Sequence, residues 1–262
     1  RAQRGGIAEA VTNLNRAFEY FVQAGDVDRA VAAATYTLPS IPGRFTVGAM
    51  VSRALELVPP DSIDAGRLHC AYARVLGIEE LDYDGAQAAA GRAIAIARME
   101  NDLALELKTT IHAAWVEFYH LRWQPALEQF LRSIELIKLS DDPWAEATAR
   151  LLAVASLLAL GELEEAERDA AASLDPAARV NERARLASVF WINMVLAEAK
   201  GDWDTVRRFA DRGLAASQDP RLPMGRAKVE YEVGAFQEGG VYLEMTLETV
   251  GSTPPRPTLE HA

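Results

Sequence analysis

Leu81-Asp82-Tyr83-Asp84-Gly85-Ala86, Leu121-Arg122-Trp123-Gln124-Pro125-Ala126, Gly161-Glu162-Leu163-Glu164-Glu165-Ala166 and Gly201-Asp202-Trp203-Asp204-Thr205-Val206 are one pattern written four times. Ala86, Ala126, Ala166 and Val206 stand 40 residues apart (126 − 86 = 166 − 126 = 206 − 166 = 40). Seven residues beyond each lies another small side chain: Ala93, Ser133, Ser173 and Gly213. A helix, a tight hinge and a second helix recurring at roughly 34–47 residues make an α-solenoid. The fold expected is therefore all-α, a right-handed solenoid of about five to six helical hairpins.

Working outward, apolar periodicity predicts first and second helices over 63–80 with 83–99, 102–120 with 125–139, 143–160 with 163–173, and 181–200 with 203–217. Asp142-Pro143 places a capping aspartate before a first-turn proline. Asp175-Pro176 and Asp219-Pro220 read as breakers between units. Gly161 and Gly201 suit a left-handed helix end, from which Leu81 and Leu121 depart. Upstream, Ile7, Val11, Leu14, Phe18 and Phe21 share a helical spacing that ends at Gly25-Asp26, and a second helix follows over 27–38. Pro39, Pro42 and Gly43 break it; a helix over 45–58 carries Ala54, 39 residues before Ala93 (93 − 54). Downstream, a weaker pair is expected over 226–236 and 241–250 across Glu238-Gly239-Gly240, and Pro254-Pro255-Arg256-Pro257 stops it. The expected organisation is irregular repeats over 1–62, four regular repeats over 63–217, a hairpin over 218–250 and a Pro-rich tail or linker over 251–262. Arg1–Gly6 reads as the middle of something, a fragment of a longer protein.

A small residue on each second helix lets neighbouring helices approach, and a bulky one there would overpack the seam at about 1–3 kcal/mol. The aromatic residues opening those helices, Tyr83, Trp123 and Trp203, are expected to pack back over the hinge. These residues resemble the tetratricopeptide repeat: Gly-Asp-aromatic-x-x-Ala/Val, a small residue seven on, then Pro as in Ala54…Pro59. The period is longer than that family's usual one. It resembles the variant in large bacterial signalling ATPases, such as maltose-regulator-like and other LuxR-type transcription regulators, and in cyclase–ATPase fusions. The opening from Phe18 to Val31 looks like the segment leaving the nucleotide-binding and winged-helix part of such proteins. The resemblance implies a non-enzymatic module for a protein or peptide partner or a small-molecule effector, in a cytoplasmic regulator. A structural adapter or self-assembling scaffold, pairing through the array ends, is the alternative. The family's clamp for chaperone C-termini is disfavoured, because Ile111 and Trp115, and Leu151 and Ala155, stand where its lysine and asparagine belong.

Composition narrows the rest. Lys+Arg 27 against Asp+Glu 38 gives −11, which argues against sequence-independent phosphate binding, so no nucleic-acid contact is expected. One cysteine, Cys70, excludes an intrachain disulfide and a thiolate cluster. The longest apolar run, 151–160, is short for a membrane span, and no membrane association is expected. The chain holds no Gly-x-x-x-x-Gly-Lys-Ser/Thr, no Gly-x-Ser-x-Gly and no His-Glu-x-x-His, so neither catalysis nor a cofactor nor a metal is expected. His112 and His120, two helical turns apart, share a face but lack a third ligand; Cys70 beside His69 reads as a small buried residue. In the implied superhelix the first helices line the concave face. Counting back from each hinge gives candidate binding residues Lys108, His112, Trp115 and Tyr119, then Leu152 with Ala155, then Trp191 and Val195, then Lys228 and Tyr231. Tryptophan and tyrosine there suit anchoring a peptide or stacking on a flat ligand, while Trp115 and Trp191 equally suit filling seams between units.

Overall fold

A computed structural model describes residues 6–36, 47–180 and 182–251. The breaker at Pro39, Pro42 and Gly43, the opening Arg1, Asn181 and the prolines from Pro254 on lie outside them. The described residues fall into two compact units, one through Gln129 and one from Phe130. The first unit runs α1 (Gly6–Gln23), α2 (Val27–Ala34), α3 (Gly48–Leu55), α4 (Ile63–Arg74) continued by a π-helical turn (Val75–Glu79), α5 (Tyr83–Met99), α6 (Leu103–Tyr119) and the start of α7 (Trp123–Ile137). The second holds the rest of α7 and then α8 (Pro143–Leu160), α9 (Leu163–Ala172), α10 (Leu174–Arg179), α11 (Arg183–Ala199), α12 (Trp203–Ala216), α13 (Arg221–Glu232) and α14 (Phe236–Gly251). Regular structure among the described residues is helical throughout, and the fold class is the all-α, helical-hairpin one expected.

The hairpins close by one device. The side chains of Asp26, Asp82, Asp102, Asp142 and Asp202 each accept the backbone N–H three residues on, capping the helix that follows. Left-handed residues at the helix ends are Gly25, Gly161, Gly201 and Gly234, and also Leu81 (φ 59°), Asn101 (φ 54°) and Leu121 (φ 58°); one precedes each of those aspartates except Asp142. Leu81 and Leu121 were expected to depart from this conformation; both adopt it, because the hinge hydrogen bonds hold the backbone whatever the side chain. The next N–H donates five residues back, as in Arg122 N to Glu117 O (2.9 Å) and Glu162 N to Leu157 O (2.9 Å). Inside each hairpin the repeated small residues are buried: Ala86, Ala93, Ala126, Ser133, Ala166, Ser173 and Val206 are all at most 1 % exposed. A Cβ on Gly213 would lie 2.6 Å from Leu222 Cδ2, so helix approach at that position needs the missing side chain.

Four expectations need correction. Asp175-Pro176 does not break the chain; it forms the first turn of the short α10, where proline's missing N–H is not required. The last hairpin turns at Gly234 (φ 81°), not at Glu238-Gly239-Gly240, which lie inside α14. Glycine marks turns only weakly, and here Gly239 serves packing: its Cβ would fall 2.9 Å from the Tyr231 ring. Trp123 does pack back, with its ring 4.9 Å from Phe118, but Tyr83 reaches the following hinge instead, 5.2 Å from His120. Finally, α8 is long and apolar enough to cross a bilayer by length and composition. It is the core helix of the second unit: Arg150, in its middle, pairs with Glu146 (2.9 Å) and with Asp169 of α9 (2.7 Å).

Candidate functional site

Helix α4 presents Arg67, Cys70, Ala71 and Arg74 at helical spacing along one side, and α6 presents Leu105, Lys108 and His112 likewise. Together with Tyr36, just beyond α2, they line a cavity of about 250 Å³ in the first unit. Three of its side chains are cationic. Arg67 pairs with Asp64 (3.0 Å), and the buried Arg74 with Glu79 (3.3 Å). Lys108 is exposed and takes part in no ion pair among the described residues. The one acid in the wall, Asp102, is engaged in capping α6 (2.9 Å to Leu105 N). Asp64, Glu79 and Asp102 thus stand against Arg67, Arg74 and Lys108, so the formal charges at the cavity balance in a chain of net charge −11.

His112 forms the floor at 1 % exposure. Its Nδ1 lies 3.3 Å from the Cys70 carbonyl oxygen and 3.4 Å from Cys70 Sγ. A carbonyl only accepts, so Nδ1 carries the proton and Nε2 is left as a bare acceptor, buried and without a hydrogen-bond partner. Burial, helped by Arg74 and Lys108, drives the imidazole pKa down to about 3, while burial pushes the Cys70 thiol up. Thiol and imidazole are therefore both neutral at physiological pH. That is the reverse of the thiolate–imidazolium pair that nucleophilic chemistry needs.

His120, two turns further along α6, places Nε2 2.9 Å from the Gly77 carbonyl oxygen. The two histidines thus fasten α6 to α4 and its π turn through backbone carbonyls. Among the described residues no three His, Cys, Asp or Glu side chains gather as metal ligands. Glu117, between the histidines and 4 % exposed, accepts from Tyr83 Oη (2.8 Å), Gln87 Nε2 (2.9 Å) and Arg122 Nε (2.7 Å).

The π turn shapes the wall. Its signature is the hinge bond Asp82 N to Leu76 O (2.8 Å), six residues back instead of five. Arg74 and Glu79 are five apart, which an α-helix would set about 140° round its axis; i→i+5 bonding brings them together. Gly77 permits the close approach of α6, since a Cβ there would lie 2.4 Å from Val116 Cγ2.

Of the residues singled out in the sequence, Lys108 and His112 share this cavity. Trp115 stacks on His112 (5.8 Å between centroids, 8° between planes) and packs on the apolar cluster of α4, α5 and α6; Tyr119 is exposed one turn on. The others belong to the second unit. Leu152 and Val195 are half-buried on α8 and α11. Trp191 packs on that unit's core with Arg221 4.8 Å over its ring, Lys228 pairs with Glu198, and Tyr231 lies 5.7 Å from the Phe236 ring. The sequence analysis took no candidates from the Leu81 hinge, and the same count made there would have passed over Arg67. Lys108 is 13 residues before Leu121 (121 − 108); the same step back from Leu81 gives Leu68 (81 − 68), which is fully buried. The π turn adds one residue, and the cavity position becomes Arg67.

No protein-family model matches the chain, and no curated protein matches it in sequence. Solved structures do match in fold. BtubC (BKLC) from P. vanneervenii superposes with a TM-score of 0.66 at 19 % identity over 88 % of this chain and 94 % of that one. PilF of Pseudomonas aeruginosa gives 0.59 at 15 % identity over 92 % of each chain. The apo form of RapI gives 0.62 at 16 % identity over 90 % of this chain, which spans 62 % of RapI. These neighbours are tetratricopeptide-like helical-repeat proteins, and the architecture of this chain is of that type.

Proposed function

We propose that the chain is a non-enzymatic interaction module whose α4–α6 cavity and adjoining surface receive a protein or peptide partner. One observation carries this reading: Lys108 is exposed at the cavity and has no ion-pair partner among the described residues, whereas Arg67 and Arg74 are both paired. An anionic group of the partner meets Lys108 and Arg67, while Trp115 and Tyr119 extend the contact with aromatic area. The neutral Cys70–His112 pair speaks against covalent catalysis. The tetratricopeptide-like fold is consistent with this role, and the 40-residue period supports a setting in a cytoplasmic bacterial signalling regulator. There the bound partner, or a small-molecule effector in the same cavity, biases a neighbouring domain. The second unit's candidates, Leu152, Trp191, Val195, Lys228 and Tyr231, form a secondary contact in this reading.

A peptide array probed with the wild-type chain, Lys108→Glu and Lys228→Glu tests it. Lys108→Glu abolishes binding to the acidic peptides that the wild type retains, and Lys228→Glu keeps them. An unchanged peptide set in Lys108→Glu refutes the assignment.

A further inference from the structure

Helix α14 carries an exposed apolar stripe beside exposed glutamates. Phe236, Leu243 and Leu247 fall on one stripe of the helix (243 − 236 = 7, 247 − 243 = 4) and are 63 %, 42 % and 62 % exposed. Gly240 lies in the same stripe. A glycine inside a helix weakens it relative to alanine, and no described residue requires one there: a Cβ on Gly240 meets none of their atoms within 4 Å. Its neighbour Gly239 is different, since its Cβ would crowd Tyr231. Gly240 therefore leaves a notch in an exposed apolar stripe that no described residue fills.

The border of the stripe is acidic. Glu244 and Glu248 run beside it, both exposed and free of ion pairs among the described residues. Residues 229–251 contain no lysine or arginine. A second copy of the same face would set glutamates against glutamates. Complementarity calls for an apolar ridge with a basic border.

We propose that this face of α14 receives an amphipathic helix of a partner protein, with apolar residues at heptad spacing flanked by lysine or arginine. The site is separate from the α4–α6 cavity and stands whether or not that assignment holds.

The probe is a designed helical peptide with leucines at heptad spacing and lysines beside them, together with its glutamate-flanked twin. Both are titrated against the full chain by fluorescence anisotropy. The lysine peptide is expected to bind saturably at one per chain, at least tenfold more tightly than its twin, with affinity falling as salt rises. Leu243→Asp and Leu247→Asp, at exposed positions and checked for folding by circular dichroism, each weaken it at least tenfold, and Lys108→Glu leaves it unchanged. Equal affinity for the two peptides, or binding indifferent to Leu243→Asp, overturns the proposal. So does sedimentation showing that the chain pairs with itself and that Leu243→Asp abolishes the pairing, which would make a second copy the occupant.

Discussion

The seam between α4 and α6 in the first unit and the seam between α8 and α11 in the second arise from the same 40-residue repeat, yet their chemistry differs. The first is polar: His112, His120 and Glu117 are turned inward, an arginine is buried at 4 % exposure, and a π turn interrupts the helix. The second is built mostly of small apolar surfaces, Ala147, Ala149, Ala153 and Val154 of α8 and Ala187 and Val189 of α11, all fully buried, although Arg185 of α11 lies over the Trp144 ring of α8 (5.0 Å) with its Nε buried and unpartnered among the described residues. Its buried hydroxyls, Thr148 and Ser156, bond carbonyls of their own helix (2.7 and 2.9 Å). Packing alone needs only the second kind of seam. Each seam holds one unpartnered buried nitrogen, His112 Nε2 in the first and Arg185 Nε in the second, worth about 1–3 kcal/mol each, and the first adds an irregular helical turn. Irregularities of that kind collect where a surface has a task, and the π turn borders the α4–α6 cavity.

The largest contrast should come from the two buried glutamates, each four residues before a hinge (121 − 117, 234 − 230). Glu230 is held by Arg207 (2.9 and 2.7 Å) and Arg226 (2.7 Å), whereas Glu117 has one arginine and two neutral donors. Glu230→Ala should lower urea-unfolding stability by about 2–3 kcal/mol and Glu117→Ala by about 1–2 kcal/mol. Equal losses would mean that the charge partners do not matter.

Acid should affect the two regions in different windows. His112 has a folded pKa near 3 against about 6.5 when unfolded, so the unfolded chain takes up its proton first. Its contribution is intact above pH 6.5, erodes as pH falls below that, and levels off near 3. About 2 kcal/mol should go between pH 7 and pH 5, and His112→Gln should remove that slope. Glu230, held below the usual carboxylate range by Arg207 and Arg226, stabilises above about pH 4.3, and this is lost as pH falls through its lowered folded value. Hydrogen exchange resolved by segment should show α6 loosening before α13; the opposite order would contradict the assignment.

Glycines provide a finer contrast within the first unit. Gly77→Ala should cost about 1–3 kcal/mol, because Val116 stands in the way, while Gly91→Ala on the open face of α5 should gain about 0.5–1 kcal/mol. The smallest effects concern the hinges. Gly161→Leu should lose about 1 kcal/mol to left-handed strain, and Leu121→Gly should gain about 0.5 kcal/mol once unfolded-state entropy offsets the relief. Thermal melts of the four variants check both signs.

Most of the fold was legible because packing leaves a periodic trace. The small residues of the second helices, buried as expected, mark the repeat even where the hinge letter changes from glycine to leucine. The last hairpin was misread because a glycine pair inside α14 looks like a turn, and only the fold distinguishes a packing glycine from a hinge glycine. In the cavity, Lys108 and His112 were legible by their distance from the hinge. Arg67 and Arg74 were not, because one extra residue in a π turn has no mark in composition. The contact of Cys70 with His112, 42 residues apart (112 − 70), is likewise a product of tertiary approach.

The account rests on the α4–α6 region being the binding face. Its most direct test is a tryptophan-fluorescence titration with the tightest acidic peptide from the array, using the wild type, Trp115→Phe and Trp191→Phe. A saturable change that disappears in Trp115→Phe and persists in Trp191→Phe is the predicted result. A change that persists in Trp115→Phe and disappears in Trp191→Phe would place binding in the second unit and contradict it.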